Sequence, residues 1–403
     1  MNFPPVKEQI DLLSRGVEDF VSPEGLEKKL ESATQSGKPL RVKLGADPSR
    51  PDLHIGHAVV LRKLRQFQDF GHTAVLIIGD FTASIGDPTG RNKTRPSITL
   101  EEARDYGKSY LEQASVVLDT NRLEVVHNSD WLNVMNFSEV IKLAGQVTVA
   151  QMLERDDFSN RYKSGTPISV HEFLYPLAQA QDSVHLKSDV ELGGTDQLFN
   201  LLMGRELQKK IGQAPQIIMT LPLLEGTDGV EKMSKSYDNY IGLSDTPSEM
   251  FGKVLSIPDE MIVKYLTLTT NLSMSDIQSV NEKMKAGENP RDFKRQLGRE
   301  LVKVYYDETA AQEAQQAFDN LFIKKDIPDE MPELELNTKD ETLLSVLDQS
   351  GLFGSKGEIR RLIKQNAVSI DGEKTGDEYH AFDTSGEYVI KAGKRKFLRV
   401  ILP

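Results

Sequence analysis

Arg41-Val42-Lys43-Leu44-Gly45-Ala46-Asp47 opens the stretch that decides the fold. It reads as a strand running into a turn. His54-Ile55-Gly56-His57 follows, and then a helical pattern over 57–70, with Val60, Leu61, Leu64 and Phe67 spaced as one apolar stripe. Thr73-Ala74-Val75-Leu76-Ile77-Ile78-Gly79 comes next, a nearly continuous apolar run that suits a strand buried on both faces of a parallel sheet. Working outward, a Gly/Asp/Pro-rich loop at 86–90, helical patterns at 101–118 and 198–211, and a strand at 216–221 continue the alternation. Strands alternating with helices imply an α/β domain, a doubly wound parallel sheet of Rossmann-like type, over 1–245.

The pattern then changes. Residues 246–323 read as an α-helical domain, with helical segments at 247–256, 259–266, 274–286 and 290–320. Residues 324–340 are polar, acidic and twice interrupted by proline, which is the composition of a linker. A small α+β unit is expected over 341–403. Its helices start at Leu343 and Lys356, and its strands fall near Ala367–Gly372, Tyr388–Ile390 and Phe397–Leu402.

Composition bounds the rest. The chain has 403 residues, enough for two or three domains of roughly 150 residues each. It has no cysteine, which excludes disulfides and thiolate metal sites. Its net charge of −12 argues against a surface that coats nucleic acid generally, though local basic patches can still bind it. The first residues, Met1 to Glu8, lack the charged start and apolar core of a secretion signal, and no run approaches the ~18 apolar residues of a membrane span. A cytoplasmic protein with no membrane partner is expected.

Two strings carry chemistry. His54-Ile55-Gly56-His57 sits at a helix start, where unpaired N–H groups and a partial positive charge suit a phosphate. Imidazoles at His54 and His57 can donate hydrogen bonds to a phosphate that gains charge, and Gly56 lets a flat base approach the backbone. Lys232-Met233-Ser234-Lys235-Ser236 lies far downstream, in a loop with Gly226 and Gly229. Lys232 and Lys235 can neutralise a departing pyrophosphate, and the glycines free the loop to open and close. Taken singly, a histidine at a helix start is an ordinary cap and a Lys/Ser loop is ordinary solvated surface. Their joint occurrence, in this order, points to an ATP site. No Gly-x-x-x-x-Gly-Lys-Ser/Thr string offers a P-loop instead, and the seven histidines form no metal-ligand pattern.

Three further strings complete a resemblance. They are Thr82-Ala83-Ser84-Ile85-Gly86-Asp87-Pro88-Thr89-Gly90-Arg91, then Tyr175-Pro176-Leu177-Ala178-Gln179-Ala180-Gln181-Asp182, and Gly193-Gly194-Thr195-Asp196-Gln197. With the first two strings they make the chain resemble the bacterial tyrosyl-tRNA synthetases, class I aminoacyl-tRNA synthetases, over essentially its whole length. Tyr175, Gln179 and Asp182 recur at i, i+4 and i+7, so they share one helix face.

The resemblance implies site roles. Tyr175, Gln179 and Asp87 would hold the ammonium of tyrosine, Asp182 its phenolic hydroxyl, and Gln197 the region of its carboxylate. Asp47, Gly56, Gly194, Asp196 and Lys235 would contact ATP. Arg91 and Arg95 would join His54, His57, Lys232 and Lys235 in catalysis, facing pyrophosphate. ATP is then a substrate accompanied by Mg2+, with no protein-built metal site. The partners would be tRNA(Tyr) and a second copy of the chain in a homodimer. Many relatives carry a tyrosine in the strand before the first motif; here that position is Lys43, which leaves the phenol-binding set open.

The C-terminal unit resembles a small RNA-binding module of a ribosomal protein. Arg360, Arg361 and Lys364 on its basic helix would face RNA phosphates. The rival readings are a tryptophanyl-tRNA synthetase, opposed by Asp182 and the RNA-binding tail, and a noncatalytic RNA binder, opposed by the intact nucleotide strings.

Overall fold

The apolar run after residue 72 is a central strand. The structure, a computed structural model, describes residues 3–48, 53–89, 98–322, 331–336, 341–382, 386–393 and 396–402, with the backbone alone at 321 and 322. In it β3 (Thr73–Ile78) buries Ala74 through Ile78 without a break. It pairs in parallel with β2 (Arg41–Ala46) on one side and β4 (Leu123–His127) on the other. Beyond β2 lie β5 (Val190–Gly194) and β6 (Ile217–Leu221), also parallel. The short β1 (Phe20–Val21) pairs antiparallel with β6 and covers that edge. The sheet order is β1-β6-β5-β2-β3-β4. Chain order therefore reverses between β2 and β5, and loops leaving the carboxyl ends of those two strands diverge to leave a crevice.

Helices cover both faces. α1 (Val6–Leu13), α2 (Pro23–Ser36), α3 (Ile55–Asp69), α4 (Asp80–Ile85) and α5 (Leu100–Ala114) precede β4. Between β4 and β5 come α6 (Ser129–Leu132), α7 (Phe137–Ala144), α8 (Val149–Met152), α9 (Asp156–Ser164) and α10 (Tyr175–Leu186). α11 (Leu198–Lys210) connects β5 to β6. In α3, Leu61, Leu64 and Phe67 are fully buried and Val60 is half-buried, so the apolar stripe faces the sheet.

After β6 the chain is helical: α12 (Pro247–Leu255), α13 (Ile262–Thr269), α14 (Met274–Lys285), α15 (Pro290–Tyr305) and α16 (Glu308–Phe322). α12 and α15 cross closely at Gly298, where a Cβ would lie 2.8 Å from the Phe251 ring. The last carbonyls of α13 have no partner within the helix. The Arg15 guanidinium takes up those of Leu266 and Thr267, with Thr270 and Leu272 beyond them, and Arg62 of α3 also donates to Thr270 at 2.9 Å. Residues Met1–Ala314 form one compact unit, so the sheet and most of the helical segment belong to the same body.

Gln315–Pro403 is the second unit. Its sheet has the order β10-β9-β12-β13-β7, built from β7 (Glu333–Glu335), β9 (Val368–Ile370), β10 (Glu373–Thr375), β12 (Gly386–Ala392) and β13 (Lys396–Leu402). A separate pair joins β8 (Glu341–Thr342) to β11 (Ala381–Phe382). α17 (Leu343–Gln349) and α18 (Lys356–Lys364) pack Leu343, Val346, Leu347, Ile359 and Ile363 into a core with Val400.

The stretch read as linker, 324–340, is corrected by the structure. It contains β7, which pairs in parallel with β13, and Leu336, a buried core residue. The alternation Glu333-Leu334-Glu335-Leu336 has the period of a half-buried strand, hidden beneath an acidic composition and two prolines.

Candidate active site

Each strand of the crevice delivers a polar group at its carboxyl end. Asp47 follows β2. Thr82 and Asp87 follow β3, Asn128 follows β4, and Asp196 and Gln197 follow Gly194 at the end of β5. With α10, the start of α3 and the loop after β6, they surround a cavity of about 410 Å³.

The start of α3 is built by backbone bonds to the chain after the lysine loop. His54 is extended, and bridges to Gly242. Ile55 N–H donates to the Ile241 carbonyl at 2.9 Å, and Leu243 N–H to the Leu53 carbonyl at 3.1 Å. The His54 and His57 rings face each other with centroids 3.8 Å apart. A Cβ on Gly56 would lie 3.0 Å from His54 Nδ1 and 3.5 Å from Met233, so glycine here admits the histidine ring as well as any ligand.

Both imidazoles are neutral at pH 7. Desolvation in the cleft, with His57 and Lys235 nearby, brings His54 down to about 2. Desolvation and Lys232 bring His57, whose ring is open to the cavity, down to about 4. The His54 backbone N–H donates to His57 Nδ1 at 3.3 Å. That acceptor role puts the His57 proton on Nε2, where it can be donated to a ligand.

The lysine loop is held by Asn239, a buried residue the sequence reading passed over. Its amide nitrogen donates to Asp228 Oδ2 at 2.7 Å and to the Glu231 and Lys232 carbonyls, while its oxygen accepts from Ser234 N–H at 2.8 Å. Gly226 and Gly229 serve this packing. A Cβ on Gly226 would lie 2.2 Å from Asn239 Cγ, and Gly229 has φ +69° and sits against Pro258. Lys235 Nζ stands 5.2 Å from the Tyr240 ring. Asp196 is raised by burial against the pull of Lys232 and with the help of Asp87.

Across the cavity, α10 turns its polar face inward. The Tyr175 hydroxyl donates to Asp47 Oδ2 at 2.8 Å, and Thr82 donates to Asp47 Oδ1 at 2.7 Å. Asn200 donates to Gln197 Oε1, which leaves the Gln197 amide nitrogen to donate to Asp87 Oδ2, both at 3.0 Å. Gln179 Nε2 donates to Glu191 at 3.1 Å. Asp182 is buried. It accepts from Trp131 Nε1 at 2.8 Å and Asn128 Nδ2 at 3.3 Å, and burial pushes it up to about 7 against those bonds and the nearby Lys43 charge.

The structure thus brings His54, Gly56, His57, Asp47, Asp87, Tyr175, Gln179, Asp182, Gly194, Asp196, Gln197, Lys232 and Lys235 around one cavity. Arg91 and Arg95 lie outside the described residues. Arg360, Arg361 and Lys364 belong to the second unit, exposed on α18; Arg360 Nε pairs with Glu378 at 2.8 Å. Sequence reading missed Asn128, Trp131, Glu191 and Asn239. Glu191 carried a signal, as a charge inside an otherwise apolar strand, Val190-Glu191-Leu192.

Comparison with known proteins identifies the family. The profile of the family described as tRNA synthetases class I (W and Y) matches residues 35–323, and that of the tyrosine–tRNA ligase SYY-like C-terminal domain matches residues 323–400. Tyrosine–tRNA ligase of Salinibacter ruber is 53% identical, with 100% of this chain and 98% of the relative aligned. That of Thermotoga maritima is 54% identical over 98% and 97%. The crystal structure of tyrosyl-tRNA synthetase complexed with L-tyrosine from Archaeoglobus fulgidus shares the fold, with TM-score 0.62 and 24% identity over 77% of this chain and 99% of that one. Two family profiles that between them run from residue 35 to residue 400, and relatives more than half identical from end to end, leave one conclusion: the chain belongs to the tyrosine–tRNA ligases of the class I synthetase family.

Proposed function

We propose that this cleft activates tyrosine with ATP and that the enzyme then passes tyrosine to the 3′ end of tRNA(Tyr). The observation that carries this reading is the junction of the His54/His57 helix start with the Lys232/Lys235 loop, opposite the polar face of α10. The tyrosine carboxylate attacks the α-phosphate in line, and pyrophosphate leaves. No protein nucleophile is needed; positioning and charge do the work.

His57 Nε2–H and His54, both neutral, donate to the phosphate as its charge grows. Lys232 and Lys235 neutralise the departing pyrophosphate, a role that the family resemblance also implies for Arg91 and Arg95. Asp87, Tyr175 and Gln179 receive the ammonium, with Tyr175 oriented by its bond to Asp47. Gln197, fixed by Asn200 and Asp87, lies toward the carboxylate. Asp182 receives the phenolic hydroxyl. For enzymes of this specificity, discrimination of ~10⁵ against phenylalanine without editing is a general reference value. Mg2+ would arrive on the triphosphate. Among the described residues no three carboxylate, histidine or cysteine groups converge to hold it.

Arg360, Arg361 and Lys364 would meet tRNA phosphates, with 1–245 as catalytic region, 246–323 as anticodon-binding region and the C-terminal unit as a further RNA-binding module. A homodimer is supported by apolar side chains left exposed between β4 and α10: Phe137 at 80%, Val170 at 79%, Val134 at 76%, with Val149 and Ile141. Among the described residues no helix is long and apolar enough to cross a membrane. A tRNA substrate supports a cytoplasmic location. The test is transfer of labelled tyrosine to a tRNA(Tyr) transcript. Charging that depends on ATP supports the reading, and a protein that binds the tRNA without charging it would make this a binding protein.

A further inference from the structure

Lys43 is a cation in the middle of a buried strand, 1% exposed. Across the sheet its register partner is Glu191 of β5, and Lys43 Nζ lies 2.8 Å from Glu191 Oε1. An ion pair buried this deeply seldom stabilises a fold more than two apolar residues would. Its surroundings suggest another use. Glu191 Oε1 also accepts from Gln179, and Oε2 accepts from Ser183 at 3.1 Å and from the Gln216 amide. Gln179 and Ser183 stand one turn apart on α10, and Asp182 lies between them in sequence. The pair therefore grips the helix at the point where it offers Gln179 and Asp182 to the cavity.

The groups that face Asp182 come from three other elements. Lys43 stands on β2 and Glu191 on β5; Asn128 and Trp131 come from the segment after β4. On its own helix, His185 stacks on Trp131, with ring centroids 4.4 Å apart. Lys43 and Glu191 are the charged members among the groups that act directly on Asp182.

We propose that Lys43, through its ion pair with Glu191, is a positioning residue for the tyrosine side chain, fixing Gln179 and Asp182 in place and supplying the compensating charge beside the carboxylate that receives the phenol. This rests on the reading of the cavity as a tyrosine pocket with Asp182 at its phenol end. It assigns the departure at Lys43 a purpose: the second element of phenol recognition works through the wall instead of touching the substrate. Burial opposes an ionised Asp182, and Lys43 is the largest influence in the other direction, ahead of the Trp131 and Asn128 bonds. Without Lys43, two buried carboxylates would face each other and one would keep a proton.

The experiment uses the full chain with K43M, K43R and the double variant K43M/E191Q. Tyrosine-dependent pyrophosphate exchange is measured from about pH 6 to about pH 9, with the KM for ATP and the melting temperature as controls. K43M should raise the KM for tyrosine about ten-fold or more while the KM for ATP stays within about two-fold. The acidic limb of kcat/KM for tyrosine should move upward by about one pH unit. The double variant removes both charges, so its limb should fall between those of K43M and wild type, and K43R should stay close to wild type. An unchanged tyrosine KM and an unmoved limb in K43M would overturn the proposal. If K43M does not fold, the double variant decides: a raised tyrosine KM with an upward limb supports the role, and wild-type values for both overturn it. A wild-type chain that exchanges with another amino acid and not with tyrosine would instead remove the pocket reading beneath it.

Discussion

Ile55 and Ile241 are joined by a backbone hydrogen bond of 2.9 Å, so the helix start that carries His54 and His57 is tied to the chain six residues past Lys235. Two strings nearly 180 residues apart become one surface through that bond and the His54–Gly242 bridge beside it. A charge removed from the loop should therefore be felt first at the His54/His57 end of the pocket.

Lys235→Ala should slow tyrosyl-adenylate formation by ~2–4 kcal/mol in the barrier, the usual scale for a preorganised charge donor. Tyrosine affinity should stay near wild type. Single-turnover adenylation at the wild-type rate would refute the role.

Asn239→Ala should act through the same loop without touching its charges. The change strips support from Asp228, Glu231, Lys232 and Ser234 together and leaves buried groups unpaired, at a stability cost of ~1–3 kcal/mol. Adenylation should slow with a raised KM for ATP and an unchanged KM for tyrosine. Equal losses for both substrates would mean that Asn239 supports the whole cleft.

Asp182 should leave a mark on stability as well as on activity. Its folded-state value, about 7, lies above the unfolded one, so the folded chain holds the extra proton between the two. That contribution is complete below the unfolded value and is lost as pH rises through about 7. The apo protein should melt at a lower temperature at pH 8 than at pH 5.5 in part for this reason, and Asp182→Asn should flatten that difference while abolishing tyrosine use. His54 and His57, both depressed, act in the opposite sense: their neutral state favours the fold above the unfolded histidine value, and that support fades as pH falls toward about 4 for His57. An Asp182→Asn protein with the wild-type pH slope would show that Asp182 is not the titrating group.

Much of this was legible in the sequence, for identifiable reasons. β3 announced itself because a strand covered on both faces leaves only apolar residues, and α3 because one face of a helix does the same at a longer period. That Tyr175, Gln179 and Asp182 share one helix face was legible from spacing, whereas their roles toward the substrate came from the family resemblance. The Lys43–Glu191 pair was not, because its partners are nearly 150 residues apart and meet only through the β2–β5 register. Asn128 and Trp131 follow a half-buried edge strand and belong to no recognisable string, so nothing short of the fold points them at Asp182. β7 was masked by glutamates whose side chains lie outside the sheet's core.

The tail should separate from the chemistry. Because β7 and Leu336 belong to the C-terminal sheet, a cut at Asp340 would damage what it leaves; ending the chain at Phe322 respects the structure. That shorter chain should still make tyrosyl-adenylate and should charge tRNA poorly. Alanine at Arg360, Arg361 and Lys364 in the full chain should weaken tRNA binding and flatten its salt dependence by ~0.7–0.9 for each phosphate that is no longer neutralised. Undiminished charging by the shortened chain would make the tail dispensable.

The most direct test is ATP–pyrophosphate exchange with each amino acid supplied in turn. The arrangement of Asp182 behind Tyr175 and Gln179 predicts strong exchange with tyrosine and only feeble exchange with phenylalanine or tryptophan, since each leaves the buried carboxylate without its hydroxyl. Equal exchange with phenylalanine, or a preference for tryptophan, would contradict it.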